Sequence, residues 1–419
     1  MRFAGSVGAI LALLAAAETA AGGSLREQVL RDQAIKAGLV PVEEVMPSFR
    51  QALSGAGRLL FASKELSLTR EISCQSCHLD SFGSSDGIPV GVGTRGQGEG
   101  LDRLQHGGDF LPRRTSPLWG RGALGFDTFF WDGQVDGSGN SVMSAFGDAA
   151  PSSDPLVVVA HLPPVEIREM VRDDEDAEAL RTETVDSARK VYAIIEERVR
   201  SDDALSAALT RAYGFDREDI RYIHVAESIA SFIRDRFRLQ PTKFHDFVFR
   251  DGDLNKQELA GGILFYGRGR CAACHNGPFF SDLSFHAIPF GQLGRGKNGF
   301  GIDYGRYNVT RDPADLYKFR TPPLYNVIKT APYSHSGAAI DLAGAIRAHV
   351  DPLGAAQVGG MSAAERAEFY RRLGSWAGEP IFGVELDDQD IRDLAAFVSA
   401  LAFPDLQAAP ITNATSRTE

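Results

Sequence analysis

The chain has 419 residues, of which 43% are hydrophobic and 24% charged, and its formal net charge is −11. This composition is typical of a globular protein and argues against a disordered, collagen-like or membrane-embedded chain. The acidic charge disfavours binding to nucleic acid and to anionic membranes, and is compatible with a basic partner protein.

The first 21 residues have the pattern of a secretory signal peptide. Arg2 gives a positive start, an apolar run extends from Ala4 to Ala17, and Thr19 to Ala21 are small residues suited to cleavage. No later segment approaches the roughly 20 apolar residues of a membrane-spanning helix. We therefore expect an exported, periplasmic protein without stable membrane insertion.

All four cysteines fall in two short motifs, which read Cys74-Gln75-Ser76-Cys77-His78 and Cys271-Ala272-Ala273-Cys274-His275. Four cysteines of an exported protein could form two disulfides, and Cys/His clusters can bind zinc. A histidine directly after the second cysteine is, however, the attachment pattern of c-type haem. We predict that the four cysteines anchor two haem c groups and that His78 and His275 bind the irons.

The surroundings of the two motifs resemble each other, which indicates an internal duplication. Residues 57–61 align with residues 262–266, and each half ends in an amphipathic helical pattern. The apolar positions of these patterns are Ile220, Ile223, Ile229, Phe232, Ile233 and Phe237, and Ile391, Leu394, Phe397, Val398 and Leu401. Asp216 and Asp387 are the predicted N-caps.

This plan predicts a mainly α-helical fold of two tandem cytochrome c-like domains with long loops, each binding one haem. The domains would span residues 22–245 and 246–405, since Gly, Pro and Asp cluster as in a linker around residues 240–253. Gly- and Pro-rich runs at 87–100 and 290–307 predict long loops near the cofactors. Residues 406–419 are small and polar without periodicity, which predicts a disordered tail.

Five further segments resemble the bacterial di-haem cytochrome c peroxidases and the related MauG enzymes, which mature methylamine dehydrogenase by oxidising its tryptophans. The segments are Phe130-Trp131-Asp132-Gly133, Pro164-Val165-Glu166, and residues 277–282, 319–327 and 330–337, in the family's order. The resemblance covers most of the mature chain. It implies that the N-terminal haem reacts with peroxide, while the C-terminal haem stays low-spin and passes electrons.

Two residues acquire catalytic roles through this resemblance. Glu166 matches the family's distal carboxylate, which can move a proton from one peroxide oxygen to the other. Trp131 matches the tryptophan that lies between the two haems and can carry an electron. The alternatives are an acidic residue at a helix start for Glu166 and a core aromatic for Trp131.

Two histidines are candidate distal ligands. His349 stands where the peroxidases have methionine and the maturation enzymes have tyrosine, so the resemblance implies that it is the sixth ligand of the second haem. The alternative is an exposed helical histidine. His106 lies in the loop where some peroxidases hold a displaceable ligand over the first haem.

The family also places a calcium ion between the haems. Thr330 and Pro332 match the residues whose carbonyls bind it, but the position of the family's asparagine ligand falls at Thr115, a poorer ligand. A glutamine expected after Trp131 is replaced by the Gly-rich insertion 137–150.

Three functions follow as hypotheses. In the first, the protein reduces hydrogen peroxide with electrons from a small cytochrome c or cupredoxin. In the second, it oxidises a tryptophan or tyrosine of a partner protein in a MauG-like reaction. In the third, it is a di-haem electron carrier without peroxide chemistry. A homodimer is a further possible partner arrangement.

Overall fold

The computed structural model of the protein describes residues 24–182, 184–356 and 358–404. The predicted signal peptide over residues 1–21 and the predicted tail over residues 406–419 lie outside the described residues. Among the helices that are described, none combines the length and the apolar character needed to cross a membrane. The fold is mainly helical, as predicted, with only short strands.

The described α-helices are α1 Leu25–Lys36, α2 Gln51–Ala62, α3 Asp102–Gln105, α4 Pro155–Val159, α5 Val185–Ser201, α6 Asp203–Tyr213, α7 Tyr222–Arg236, α8 Lys243–Phe249, α9 Lys256–Tyr266, α10 Tyr307–Thr310, α11 Leu342–Val350, α12 Pro352–Ala355, α13 Ala363–Trp376 and α14 Asp388–Ser399. The 3₁₀-helices are Val42–Val45, Lys64–Leu66, Cys74–Ser76, Asp80–Phe82, Gly147–Ala149, Pro163–Val165, Glu175–Leu180, Arg217–Asp219, Cys271–Ala273, Gly277–Phe279, Pro313–Asp315, Val327–Lys329 and Val358–Gly360.

Six two-residue strands form three antiparallel pairs. They are β1 Thr128–Phe129 with β2 Val135–Asp136, β3 Phe285–His286 with β6 Phe319–Arg320, and β4 Arg295–Gly296 with β5 Gly299–Phe300. Each pair fixes a turn or a loop rather than forming a layer of the core, because two-stranded sheets of this length bury little by themselves.

The duplication is visible as two equivalent helix pairs, α2 on α7 and α9 on α14. In the first pair Gly57 lies against the backbone of Ser228, and in the second Gly261 lies against the backbone of Asp393. At each site an added Cβ would overlap the facing carbonyl oxygen, so only glycine permits the close crossing. The structural equivalence is therefore Gly57 with Gly261, one residue away from the alignment that the sequence predicts.

The same shift pairs Phe61 with Phe265. Phe61 is buried with its ring centre 6.2 Å from that of His78, and Phe265 is buried 6.5 Å from His275. Each half thus uses the last turn of its first helix to pack an aromatic ring against the histidine of its own motif.

The predicted closing helices are present, but only one predicted cap is correct. Asp387 caps α14 and accepts a hydrogen bond from the backbone N–H of Asp390 at 2.8 Å. Asp216 does not cap α7, because a separate 3₁₀ turn at Arg217–Asp219 intervenes and Arg221 occupies the N-cap position. The charged run before Tyr222 therefore forms two short turns rather than a single helix start.

The predicted linker region contains helix α8, whose Phe244 and Phe247 are buried. The division of the chain into residues 22–245 and 246–405 stays a prediction, and α1 does not follow it. Helix α1 packs on α8 and α9 of the second half, where Leu30 is fully buried against Gly262. The second half is therefore completed by a helix from the beginning of the chain.

A buried charge network also joins the halves. Arg113 pairs with Asp132 at 2.6 Å and with Asp303 at 2.8 Å, and Lys297 contacts Asp132 at 3.0 Å. Despite burial, the two cations hold the pKa of Asp132 well below its ordinary value. Since Asp132 follows Trp131 in the turn between β1 and β2, the network holds this turn against the second half.

We expect Gly57→Ala to lower the free energy of unfolding by about 1–3 kcal/mol, because the new methyl group would be forced into the α2–α7 crossing. Gly55→Ala on the exposed face of the same helix is the matched control, since a Cβ there meets no atom within 4 Å. This control is expected to gain roughly 0.5–1 kcal/mol from helix propensity. Guanidinium unfolding measures both, and equal midpoints would contradict the close crossing.

Candidate haem sites

The two Cys-X-X-Cys-His segments adopt the same local structure. Each begins with a 3₁₀ turn, Cys74–Ser76 or Cys271–Ala273. His78 donates its Nδ1–H to the carbonyl oxygen of Ser84 at 2.9 Å, and His275 donates to that of Phe280 at 2.9 Å. These bonds leave Nε2 of each imidazole as the lone-pair nitrogen, which is the arrangement of a metal-binding histidine.

The two accepting residues share a rare backbone conformation. Ser84 has φ +66° and Phe280 has φ +49°, in the left-handed region that costs a residue with a side chain about 1–2 kcal/mol. The recurrence of this conformation at equivalent positions indicates that it serves the histidine, because strain of this kind persists where the surroundings require it.

The four cysteines are free thiols, which excludes the disulfide alternative. Burial raises the pKa of Cys74 and of Cys271 to about 12, so neither thiol is ionised at neutral pH. The described side chains also do not form the Cys₄ or Cys₂His₂ set that zinc requires. The cysteines are therefore placed as neutral thiols beside a histidine, as thioether formation needs.

Among the described residues, one group has the side chains of a possible metal site: Cys274, Asp282 and His286. Hydrogen bonds of His286 already occupy the atoms that would bind a metal. His286 contacts Glu379 at 2.6 Å through Nδ1 and Asp282 at 3.0 Å through Nε2. Although burial opposes it, hydrogen bonds to Asp282, Cys274 and Glu379 raise the pKa of His286 to about 12. A protonated imidazole has no lone pair for a metal.

His349 lies opposite His275 across an open cavity. The two ring centres are 6.5 Å apart, and His349 donates its Nδ1–H to the carbonyl oxygen of Ala345 at 2.8 Å. An imidazole nitrogen lies about 2 Å from a bound metal and roughly 1 Å from its ring centre, so two rings on opposite faces of one ion have centres about 6 Å apart. The spacing and the free Nε2 atoms fit one iron between these histidines.

The cavity between these histidines has the character of a haem pocket. It contains about 1270 Å³ of empty space, part of it open to solvent. Its lining includes Cys271, Cys274, His275, His349, Phe265, Ile346, Leu394, Val398 and Trp131. An apolar cavity with both anchoring thiols and two facing imidazoles fits one haem c, so the residues of the second site agree with the predicted cofactor.

Trp131 occupies the position expected of a residue between two redox centres. It is buried in the turn between β1 and β2, lines the second haem cavity, and donates its Nε1–H to the carbonyl oxygen of Arg114 at 2.9 Å. It also lines a smaller cavity on its other side. The ring is thus packed as a core residue and also borders two cavities, so its burial does not separate a structural role from a role in electron transfer.

Glu166 is brought to the first haem motif together with a second carboxylate, Glu169. The backbone N–H groups of Glu169 and Met170 both donate to the carbonyl oxygen of Glu166, which closes a tight turn. Burial, and then the charge of Glu166, raise the pKa of Glu169 to about 8. Burial, and then the charge of Glu169, raise the pKa of Cys74, which places this carboxylate beside the motif.

Glu169 was not among the residues singled out from the sequence. Its position three residues after Glu166 is the only sequence signal, and such spacing is common on exposed surfaces. Glu166 is exposed in the structure, and Glu169 is half-buried. The pair can exchange a proton near the first motif. The carboxylates near the second motif, Asp282 and Glu379, are instead both bound to His286.

His106 does not reach the first motif. It is exposed at the end of α3 and donates its Nδ1–H to the carbonyl oxygen of Asp102 at 2.8 Å. Within the described ranges no contact connects it with His78 or the cysteines. The structure thus gives the predicted displaceable ligand no support.

The residues at the predicted calcium site do not fit a calcium ion. The carbonyl oxygen of Thr330, a predicted ligand beside Pro332, accepts a hydrogen bond from the guanidinium of Arg114. Thr115 donates its Oγ1–H to Asp86 at 2.6 Å. A fixed cation at the carbonyl repels a second one, whereas calcium needs six to eight oxygen ligands with free lone pairs.

Comparisons with known proteins agree with this geometry. Residues 52–253 match the family model described as di-haem cytochrome c peroxidase. The chain is 25% identical over 411 residues to cytochrome-c peroxidase IdrP2 of Denitromonas iodatirespirans, covering 91% of this chain and 92% of that protein. It is 26% identical over 285 residues to the methylamine utilization protein MauG of Methylorubrum extorquens, covering 67% and 64%.

The fold is similar to that of a solved MauG-like protein associated with microbial copper homeostasis. The TM-score is 0.62 at 22% identity, with 90% of this chain and 96% of that chain covered.

We expect His349→Met to raise the reduction potential of the second haem, because a thioether stabilises ferrous iron better than an imidazole does. A redox titration followed by absorption spectroscopy measures this, with low-spin signals identifying the second haem. His106→Ala is the matched control and should leave both spectra unchanged. An unaltered potential in His349→Met would show that His349 is not a ligand.

Proposed function

We propose, since the chain belongs to the family of bacterial di-haem cytochrome c peroxidases and MauG enzymes, that it reduces hydrogen peroxide with electrons from a small redox protein. The carrying observation is the carboxylate pair, Glu166 and Glu169, beside the first motif. At the second motif the ring centres of His275 and His349 lie 6.5 Å apart, a spacing that supports one shared iron. A peroxidase needs one site with proton-transfer groups and one closed electron-transfer site, and the two motifs differ in this way.

Two haem c groups are the cofactors that these motifs would hold. Cys74, Cys77 and His78 would hold one, and the second set, Cys271, Cys274, His275 and His349, would hold the other. The haems supply the redox chemistry by which two electrons and two protons convert one hydrogen peroxide into two waters.

Glu166 serves as the acid–base group. With a haem held by the first motif, its carboxylate would accept a proton from one oxygen of hydrogen peroxide and deliver it to the other, so that water can leave. Glu169 carries a proton at neutral pH, since its pKa is raised to about 8. It can therefore donate a hydrogen bond or a proton to the same leaving oxygen.

Trp131 serves as the relay between the two halves. Its indole lines the cavity that contains His275 and also the smaller cavity that Arg114, Trp119 and Arg121 line. Its Nε1 hydrogen bond to the carbonyl of Arg114 fixes the ring plane. With both haems bound, the Trp131 ring would supply a packed aromatic path for electrons between the two sites.

The electron donor would be a small cytochrome c or a cupredoxin in the periplasm. The formal charge of −11 favours a donor with a basic docking face, because opposite charges accelerate encounter. The predicted export signal over residues 1–21 supports this location.

One observation favours oxidation of a partner protein's tryptophan or tyrosine as the second candidate. With His349 in place of a methionine, the second haem would have a lower reduction potential. A high-potential donor would then deliver electrons to it less readily, which weakens the first candidate relative to the second. The two functions separate by product: one consumes reduced cytochrome, and the other leaves an oxidised aromatic residue in a partner.

We expect Glu166→Gln to slow the reaction with peroxide by roughly 10²–10⁴-fold, because the amide cannot accept the peroxide proton. Stopped-flow absorption with reduced donor measures the rate. Glu44→Gln, an exposed change on the Val42–Val45 turn, is the matched control and should react like the unaltered protein. Unchanged kinetics in Glu166→Gln would remove this residue from the mechanism.

We expect the peroxide rate to fall as pH rises through about 8, since the proton on Glu169 is lost there. The sign follows from the raised pKa: below 8 the carboxyl is neutral and donates, and above 8 it is charged and repels Glu166. Glu169→Gln keeps a neutral donor and should remove this inflection from the pH profile. A variant profile with the same inflection would assign it to another group.

A further inference from the structure

Three arginines lie buried around Trp131 without a carboxylate at ion-pair distance among the described residues. Arg114 and Arg121 are 5% exposed and Arg320 is 1% exposed. The neighbouring Arg113 is equally buried but pairs with two carboxylates. Buried guanidinium groups are strongly destabilising unless an anion accompanies them, so the three unpaired ones require an explanation.

The hydrogen bonds of all three go to backbone carbonyls, and Arg121 and Arg320 also lie over the Phe126 ring, at 4.8 Å and 5.4 Å from its centre. Arg121 donates to Pro117 at 2.8 Å, and Arg320 donates to Phe130 at 3.0 Å and to Thr321 at 3.1 Å. Carbonyl oxygens fix the direction of a guanidinium, but they do not neutralise its charge. Consistently, burial lowers the pKa of Arg320 to about 9.

The three arginines line one cavity, which contains about 520 Å³ of empty space. Trp119 and Trp131 lie in the same wall. The Nε1–H of Trp119 and the Nε–H of Arg114 are buried there, and neither has an acceptor among the described residues. Both orphaned atoms are hydrogen-bond donors, so what the cavity lacks is a negatively charged acceptor.

The cavity lies between the two haem motifs. Arg320 and Trp131 line both this cavity and the cavity that contains His275. On the other side, the cavity residue Trp119 follows Leu118, whose backbone N–H donates to the hydroxyl of Ser84 at 2.8 Å. The carbonyl of Ser84 in turn accepts the hydrogen bond of His78. The guanidinium groups thus lie beside the binding places of both cofactors.

We propose that this cavity binds the propionate carboxylates of the two haems, Arg320 those of the second haem and Arg121 those of the first, with Arg114 and the Trp119 indole between them. The proposal rests on the proposed function only through the presence of two haems. A haem c is anchored by thioethers at one edge and carries two carboxylates at another. Charge-assisted, bidentate hydrogen bonds from arginine match such carboxylates.

Bound in this way, the carboxylates supply the anions that the buried arginines lack. The arginines would in turn hold the propionate side chains in one orientation. Because Arg320 donates to the carbonyl of Phe130 and its own N–H donates to that of Trp131 at 2.8 Å, the clamp and the relay residue move together.

Resonance Raman spectroscopy tests the proposal, since the propionate bending bands respond to hydrogen bonding at the carboxylate and are independent of turnover. In Arg320→Gln we expect these bands to shift for the second haem. We also expect its ferric–ferrous equilibrium to move toward the ferric form by about tenfold, or about 59 mV for one electron, since a nearby positive charge is lost. Arg320→Lys should recover the equilibrium in part, because the charge remains, while the bands stay shifted.

Arg58→Gln, an exposed change on α2, is the matched control and should alter neither quantity. If Arg320→Gln does not incorporate two haems, Arg320→Lys and Arg121→Lys decide the matter through the bands alone. Unshifted bands in these variants overturn the proposal. So does a saturable response of the unaltered protein to chloride, which would assign the cavity to a soluble anion. Peroxide consumption by the unaltered protein tests the function separately.

Discussion

Both halves of the candidate site depend on one hydrogen bond, the donation of an imidazole Nδ1–H to a backbone carbonyl. His78, His275 and His349 each make it, and each is left with Nε2 as the nitrogen that can bind a metal. For the first two, the accepting carbonyl lies in a loop that follows the motif. The loop can present it only by placing Ser84 or Phe280 in the left-handed region. The fold thus accepts about 1–2 kcal/mol of strain at each site to fix which nitrogen faces the cavity.

The sequence predicts the chemistry of this site better than its packing. The two Cys-X-X-Cys-His motifs and the helical patterns ending near Arg236 and Ser399 are local signals, and the structure contains both helices. The alignment of the two halves was wrong by one residue, because adjacent Gly261 and Gly262 offer equivalent matches and only the crossing with Asp393 selects one. Asp216 failed as a cap because an intervening turn cannot be distinguished from a helix start by residue type.

Residues whose role depends on a distant partner could not be found from the sequence. Glu169 is an ordinary acidic residue until folding brings it near Cys74, which is far away in the sequence. Arg113 and Arg114 are adjacent in the sequence, yet one faces two carboxylates and the other faces the carbonyl of Thr330. That contact also explains why the calcium prediction does not fit, since motif matching compares ligands and is blind to a cation supplied by the chain itself.

The charge distribution around Trp131 follows a common principle. Paired charges join the two halves rigidly through Arg113, whereas unpaired charges face the cavities. A buried network that is satisfied within the protein stabilises one arrangement of the halves. A buried polar group without a partner in the protein can still form a hydrogen bond or an ion pair with a ligand that enters the cavity. Buried polar groups without a protein partner therefore mark the places where the protein is completed by a ligand.

Helix α1 has a consequence for how the molecule can be divided. Both α1 and α14 pack on α9, and Gly262 of α9 faces Leu30 of one and Phe397 of the other, so the outermost helices of the described chain meet on the same element. A recombinant fragment that begins near residue 246 would leave the surface around Gly262 bare, although it retains a complete haem-attachment motif. The two duplicated halves therefore can no longer be exchanged as separate modules. During synthesis, α1 cannot reach its final packing position until the second half of the chain has been made.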